Sequence, residues 1–273
     1  MSLKLNGTLV LVGCGKMGGA MLEGWLKAGA PAAKIVVLEP RPAPEIVELL
    51  SKHKIRLNPA ISGITDAEAL IIAVKPQVMG DVLPPLVPLQ KSKPLILSIA
   101  AGKTIASFEA AFGKDASVVR TIPNTPAAIG RGITAMVGNG HVSDKQMELA
   151  EALLSSTGEV VKVDNEEAID FVTAVSGSGP AYVFLLAEVL ASAGEKLGLS
   201  KEIATQLARA TVSGAGELMR QSGTDAAVLR QNVTSPNGTT YAALQILMAD
   251  DGMKPMMEKA VAAAARRSRE LAG

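Results

Sequence analysis

Three glycines near the start of the chain have the spacing and the surroundings of a dinucleotide-binding turn. Gly13, Gly15 and Gly18 follow the apolar run Thr8–Val12 and precede residues 19–29, whose pattern predicts a helix closed by a glycine. The first glycine permits a tight turn, the second lets backbone approach a pyrophosphate, and the third lets the helix pack on the strand. Because the positive end of the helix dipole attracts phosphate, we expect a nucleotide cofactor rather than an ordinary glycine-rich turn.

Two charged residues after the second predicted strand bear on the choice of nucleotide. Glu39 lies 21 residues after Gly18, a separation at which an acid commonly binds the ribose hydroxyls of NAD. Arg41 follows two residues later and carries the charge to bind the 2′-phosphate of NADP. Because Pro40 fixes the turn between them, we expect Arg41 to face the ribose and NADPH to be the cofactor, with NADH as the alternative.

The second half of the chain contains a polar loop longer than helix capping requires. Residues 232–241 hold four serine and threonine hydroxyls and two amides, and they precede a predicted helix. Asn237 or Gly238 can take the positive φ that such a turn needs. Serine and threonine also begin helices as simple caps, but free N–H groups at a helix start form a carboxylate site. A second loop, 175–182, alternates serine and glycine before Pro180.

The elements around these loops predict a doubly wound, Rossmann-type α/β sheet. Short apolar segments alternate with amphipathic stretches at 45–53, 104–112 and 144–156, as in a sheet covered on both faces. The carboxyl ends of such strands form the floor of a ligand cleft. The predicted strands are Thr8–Val12, Ile35–Leu38, Ala69–Val74, Pro94–Ile99, Ser117–Ile122, Thr134–Val137 and Glu159–Val163.

After about residue 165 only helical patterns remain, so we predict a dinucleotide-binding domain over 1–165 and an all-α domain over 166–273. Residues 181–190 are apolar nearly all round and must be buried on most sides. A small helical domain has little surface to bury them, so we expect at least a dimer. A bundle that buries this helix within one chain is the alternative. The predicted helices are 166–175, 180–197, 201–221, 225–233, 238–251 and 253–271.

The composition argues against several other classes of protein. The net charge of +1 and the 3% aromatic content do not suit a nucleic-acid surface. We expect no apolar run to approach the roughly 20 residues of a membrane helix, and no signal peptide. A single cysteine, Cys14, excludes an internal disulfide and favours the cytoplasm. Two histidines make a histidine-based metal site improbable, so we expect no metal.

Six motifs, in this order, resemble those of the pyrroline-5-carboxylate reductases. The resemblance covers nearly the whole chain, and the last motif is specific to that family, whereas the first occurs in many dehydrogenases. One departure lies at Asn237-Gly238, where the family usually has two glycines, and another at Glu39, where it often has a small polar residue. The motifs are residues 13–18, 73–76, 98–102, 123–126, 176–182 and 233–240.

The resemblance implies NAD(P)H-dependent reduction of 1-pyrroline-5-carboxylate to L-proline, the final step of proline biosynthesis. It also implies that the helical domain dimerises, that each site forms where two subunits meet, and that dimers can assemble into larger rings. By position it assigns the cofactor to Val12, Gly13, Cys14, Gly15, Lys16, Met17, Glu39, Arg41, Ala73, Val74, Lys75, Pro76, Ile99, Ala100, Ala101, Glu166 and Asn232, and it assigns the substrate to Thr239 and Thr240. From the glycine turn and the strand ends we add Gly18 and Asn124 to the cofactor site, and from the polar loop we add Ser235, Asn237 and Gly238 to the substrate site.

Reduction of a cyclic imine requires few catalytic side chains. The protein must align the hydride donor with the acceptor, bind the carboxylate and supply a hydrogen bond to the ring nitrogen. We expect the N–H groups of 237–240 to hold the carboxylate and the Thr240 hydroxyl to contact the nitrogen, as the catalytic group. Lys75 is the other candidate for a general acid. It follows a predicted strand and precedes a proline, a position that suits contact with the cofactor better. The alternative function is that of a β-hydroxyacid dehydrogenase, which needs a lysine as a general base in the second domain. Lys196 and Lys201 flank a turn between two predicted helices, which is a poor position for a buried base.

Overall fold

A computed structural model of the chain describes residues 3–272, with Ala272 described by its backbone alone. It divides into two compact units. The first contains the chain up to Gly177 together with the end of the chain from Ala265, and the second contains Ser178–Ala264. The boundary after residue 165 therefore stays a prediction, and each unit is described by itself.

The first unit is built on a sheet of eight strands among the described residues. The strands are β1 (Thr8–Val12), β2 (Ile35–Leu38), β3 (Arg56–Leu57), β4 (Ala67–Ile72), β5 (Leu95–Ser98), β6 (Val118–Ile122), β7 (Gly132–Gly138) and β8 (Gly158–Lys162). Their order in the sheet is β3-β2-β1-β4-β5-β6-β7-β8, and all neighbouring strands are parallel except β6 and β7. Parallel strands end at one edge, so the loops after β1, β2, β4, β5 and β6 share that edge.

Helices cover this sheet, and alternate residues of β1 point into two cores. Leu9 and Leu11 enter one core and Val10 and Val12 the other, all nearly inaccessible to solvent. Strand β8 lies at the edge and is largely exposed, so coverage on both faces is wrong for that strand. The helices are α1 (Lys16–Lys27), α2 (Pro44–His53), α3 (Met79–Val82), α4 (Ile105–Phe112), α5 (Asp144–Leu154) and α6 (Ala168–Val172).

The second unit is helical. A tight turn at Gly198 (φ 104°) joins α7 (Gly179–Lys196) to α8 (Lys201–Ser222), and Gly194 leaves room for Ala204 of the facing helix. The apolar residues of α7 lie largely on the surface of the single chain, with Phe184 61% exposed and Leu185 57% exposed. The helices are α7 (Gly179–Lys196), α8 (Lys201–Ser222), α9 (Ala226–Asn232), α10 (Thr239–Leu247) and α11 (Met253–Ala272), whose last turns belong to the first unit.

Residues 168–196 form one helical span with a bend at Ser178, which corrects two expectations. The segment is long and apolar enough to cross a membrane by length and composition, so the expectation that no run approaches that length is wrong. The serine-glycine stretch is not a loop, because residues 173–177 form a π-helical turn. Thr173 Oγ1 donates to the Ile169 carbonyl (2.7 Å) and Ser176 Oγ to that of Val172 (3.2 Å), so these hydroxyls are satisfied within the helix.

Candidate active site

The glycine turn between β1 and α1 is packed against the end of β4. Gly13 has φ 91°, and a Cβ there would lie 2.8 Å from the Ala73 carbonyl oxygen and from Val74 Cγ1. A Cβ at Gly18 would collide with the Gly13 carbonyl oxygen. Both glycines are therefore required by close backbone approach, as their spacing predicts.

Gly15 has a different role, because the space beside it is open. A Cβ at this position would meet no atom within 4 Å among the described residues, and the glycine itself is exposed. It caps α1 with extended backbone (φ −75°, ψ −159°) and without a side-chain hydrogen bond, and no acid lies in the first turn. N–H groups without a side-chain cap, open space and a helix dipole together fit a pyrophosphate. Lys16 is exposed beside this space, and Met17 packs partly against the core.

Glu39 points at the glycine turn. Its Oε2 accepts a hydrogen bond from the Cys14 N–H (2.9 Å), and its Oε1 accepts one from the Arg41 N–H (3.0 Å). Asn58 holds the main chain of Glu39 from the other side, because its side chain accepts from the Glu39 N–H and donates to the Glu39 carbonyl, both at 2.8 Å. Arg41 has an exposed side chain.

The thiol of Cys14 is buried beneath this turn. Burial, and secondarily the negative charge of Glu39, raise the pKa of Cys14 from 9.0 to about 12. The residue is therefore a neutral packing group at physiological pH rather than a nucleophile.

The loops after β4 and β5 reach the same edge of the sheet. The Ala73 N–H donates to the Val12 carbonyl (2.8 Å), and the Ile99 N–H donates to that of Ile72 (3.2 Å), so both loops begin in register with the glycine turn. Lys75 is exposed, and Pro76 begins a 3₁₀ turn after it. The Ala100 N–H is bound by Ser98 Oγ (3.2 Å), and Ala101 is exposed.

Glu166 and Asn124 make contacts to protein groups of the first unit. Glu166 Oε1 accepts from the Ile105 N–H, at the start of α4, and from Arg120 Nη1, both at 2.8 Å. Asn124 is buried. Its Oδ1 accepts from the Ile133 N–H (3.0 Å), and its Nδ2 donates to the Ser176 carbonyl (3.2 Å). These hydrogen bonds hold together segments near the edge of the sheet at which the parallel strands end. Cofactor contact by either residue stays a prediction.

The predicted substrate loop forms a tight turn of its own in the helical unit. The Gly238 N–H donates to the Ser235 carbonyl (3.1 Å), and Asn237 takes the left-handed conformation (φ 58°). A Cβ on Gly238 would collide with Ser235 Oγ. Gly238 caps α10 without a side-chain hydrogen bond, so the first N–H groups of that helix, including those of Thr239 and Thr240, remain available. Asn232, at the end of α9, is exposed.

The residues that hold these loops in place were not predicted from the sequence. Asn58 has φ 48°, a conformation that asparagine tolerates. The residue type was the one feature in the sequence that could have pointed to this turn. Arg120 is 3% exposed and lies within an apolar strand, and Asp170 lies 3.9 Å from its Nη2. Ser268 of α11 donates to Asp170 Oδ1 (2.6 Å). A charged residue inside a buried strand is a signal that can be read before a structure exists.

The fold and the glycine turn define a Rossmann-type dinucleotide-binding protein with an all-α second unit. Residues 166–271 match a family model described as pyrroline-5-carboxylate reductase dimerisation, and residues 8–102 match one described as NADP oxidoreductase, coenzyme F420-dependent. The chain is 42% identical to pyrroline-5-carboxylate reductase of Pseudomonas aeruginosa over 97% of its length and 96% of that protein.

Solved structures agree with this comparison. A pyrroline-5-carboxylate reductase from Coxiella burnetii superposes with a TM-score of 0.91 at 33% identity, over 98% of this chain and all of that one. The Plasmodium falciparum enzyme, solved with NADP bound, superposes with a TM-score of 0.80 at 28% identity, over 98% of this chain and 99% of that one. The chain belongs to the pyrroline-5-carboxylate reductase family.

Proposed function

We propose that the chain reduces 1-pyrroline-5-carboxylate to L-proline with NAD(P)H, the final step of proline biosynthesis. The observation that carries this proposal is the identity of 42% with the Pseudomonas aeruginosa reductase over almost the full length of both proteins. The retained turn at 235–238 supports it, because Asn237 reaches the left-handed conformation for which the family usually has glycine.

The cofactor fits the first unit. The uncapped N–H groups at the start of α1, beside Gly15, hold the pyrophosphate, and Gly13 and Gly18 keep the turn close to the sheet. Ala73, Ile99 and their neighbours line the edge next to it, and Lys75 offers a cation to the phosphates. The reduced nicotinamide supplies the hydride. We propose NADPH as the preferred form, with Arg41 meeting the 2′-phosphate.

The substrate is held by the loop of the helical unit. The N–H groups at the start of α10 bind the carboxylate, since they are uncapped and the dipole favours an anion there. The Thr240 hydroxyl contacts the ring nitrogen, either accepting from the iminium or donating through a water. Ser235 shapes the turn, and Thr239 contributes a second hydroxyl. No histidine or lysine is required, because the imine nitrogen is basic enough to carry its own proton.

The protein acts as a homodimer, and we propose the cytoplasm as its compartment. The apolar face of α7 is largely exposed in one chain, and a second copy of the same face is the cover that removes it from water. The matched family model describes a dimerisation domain over these residues. The substrate loop of one subunit then serves the cofactor edge of the other, and dimers can assemble into rings. The one free cysteine suits a reducing compartment.

Initial rates with each nucleotide test this function. The purified full-length chain is given 1-pyrroline-5-carboxylate with NADPH and then with NADH, and proline is quantified beside nucleotide oxidation. We expect one proline for each nucleotide oxidised. Nucleotide binding without proline formation, joined to oxidation of a hydroxyacid from a panel, would instead support a β-hydroxyacid dehydrogenase.

A further inference from the structure

Glu39 stands where an acid ordinarily selects NAD by binding the ribose hydroxyls. In this structure its carboxylate is engaged with protein N–H groups, one oxygen with Cys14 (2.9 Å) and the other with Arg41 (3.0 Å). Its main chain is fixed as well, through the two hydrogen bonds to Asn58. Four hydrogen bonds therefore set the position of this one residue.

The bond to Cys14 extends the pairing of the first two strands. The Gly13 N–H donates to the Leu38 carbonyl (2.9 Å), as a strand residue would. The next donor along the turn, the Cys14 N–H, meets the Glu39 side chain in place of a main-chain carbonyl. The carboxylate thus continues the ladder into the phosphate-binding turn, where Pro40 leads the main chain away.

This anchoring leaves the phosphate space free. The open side of the turn lies at Gly15, and the N–H groups from there into α1 are not used by Glu39. The side chain of Cys14 does not enter the phosphate space, because it is buried and neutral. The negative charge of Glu39 is shared between two donors, which lowers its repulsion of a nearby phosphate.

We infer that Glu39 is a positioning residue that fixes the phosphate-binding turn for either nucleotide, and that it does not choose between NADH and NADPH. The choice falls to Arg41, whose guanidinium makes no hydrogen bond or ion pair with any residue among 3–272. This inference rests on the proposed function only in taking a nicotinamide dinucleotide as the cofactor.

Calorimetric titration of the full-length chain with NADH and with NADPH, without substrate, tests the inference. Glu39→Ala removes both acceptors, so we expect the Kd of each nucleotide to rise about tenfold, with their ratio changed less than about threefold. Glu39→Gln keeps one acceptor oxygen and gives a smaller rise, again equal for both. Arg41→Ala raises the Kd of NADPH alone, by about tenfold. Glu48→Ala, an exposed carboxylate on α2, is the matched control and changes neither.

Two results would overturn the inference. One is a Glu39→Ala chain that loses NADH while it keeps or gains NADPH, which is the behaviour of a ribose-selecting acid. The other is unchanged binding of both nucleotides. If Glu39→Ala does not fold, Glu39→Gln carries the same comparison of the two Kd values. A wild-type chain that binds both nucleotides but forms no proline refutes the proposed function and leaves this inference intact.

Discussion

Arg120 Nη1 donates a hydrogen bond of 2.8 Å to Glu166 Oε1, from a buried strand to the residue at which the match to the dimerisation family begins. The same oxygen accepts the Ile105 N–H at the start of α4, directly after the loop of residues 99–102. Asp170 lies 3.9 Å from the other end of the guanidinium and binds Ser268. One buried cation thus joins β6, α4, α6 and the end of α11.

Replacing Arg120 with Met should destabilise the protein strongly. The substitution leaves Glu166 and the nearly buried Asp170 without their cation, and such a loss costs about 3 kcal/mol in the free energy of unfolding. Urea unfolding at neutral pH measures this, with the exposed Arg131→Met as the control. A cost below about 1 kcal/mol for Arg120→Met would show that the pair contributes little beyond its packing.

Gly15→Ala should separate binding from folding. The backbone at Gly15 has φ −75°, which alanine adopts freely, and a Cβ there has no neighbour within 4 Å. We expect stability within about 0.5 kcal/mol of wild type but at least about tenfold weaker binding of NADPH, because the methyl group enters the phosphate space. Gly63→Ala, another glycine with open space, is the control. Unchanged NADPH affinity would place the phosphates elsewhere.

The pKa of Cys14 predicts a loss of stability in alkaline solution. The folded protein holds the thiol proton up to about pH 12, whereas the unfolded chain releases it near 9.0. Above pH 9 the unfolded state binds fewer protons, so the free energy of unfolding falls by about 1.4 kcal/mol per pH unit from this group, and none is lost below pH 9. Unfolding of wild type and Cys14→Ala from pH 8 to 10.5 isolates this slope. Parallel curves for the two proteins would contradict it.

The strands and most helices follow from periodicity, and the seven predicted strands are all present. Strand β3 was missed because it has two residues, one of them a charged arginine, and lies next to β2 at the edge of the sheet. The π turn at 173–177 was missed because glycine and serine together signal a loop, whereas here the Ser176 hydroxyl bonds back to a carbonyl of the preceding helical turn.

The backbone turns of the candidate site could be predicted, because local residue types determine them. The orientation of a side chain toward a residue far away in the sequence could not. The glycine spacing fixes the turn, and Asn237 takes the positive φ that its residue type permits. Glu39 follows β2 directly, as the strand pattern predicts, but the sequence could not show that its carboxylate turns toward Cys14. The Arg269 guanidinium, on an exposed residue of α11, lies 5.3 Å from the centre of the Phe171 ring, a contact between residues far apart in the chain that no local pattern predicts.

A charge on the exposed face of α7 should break the dimer. Leu185→Glu places a carboxylate in a surface that we expect a second copy to cover, where an unpaired charge is costly. Light scattering after size-exclusion chromatography should show a monomer of 28.1 kDa in place of a dimer or larger ring. Val87→Glu, on an exposed apolar residue of the first unit, should leave the assembly intact. A Leu185→Glu chain that still dimerises would move the interface to another surface.

Thr240→Ala should lower kcat far more than it weakens nucleotide binding. Loss of a hydrogen bond to a charged nitrogen corresponds to about a 10- to 100-fold fall in kcat, while the Kd of NADPH should change less than about threefold because the nucleotide binds the first unit. Thr240→Ser keeps the hydroxyl and should recover most of the turnover. Equal kcat values for wild type and Thr240→Ala would remove this hydroxyl from the mechanism.

A crystal structure of the chain with NADPH and L-proline would show directly where the substrate binds. We expect the proline carboxylate on the N–H groups that begin α10, with its ring nitrogen near Thr240 and its ring facing the nicotinamide. Proline bound away from the loop of residues 235–240, or remote from the nicotinamide, would contradict this expectation.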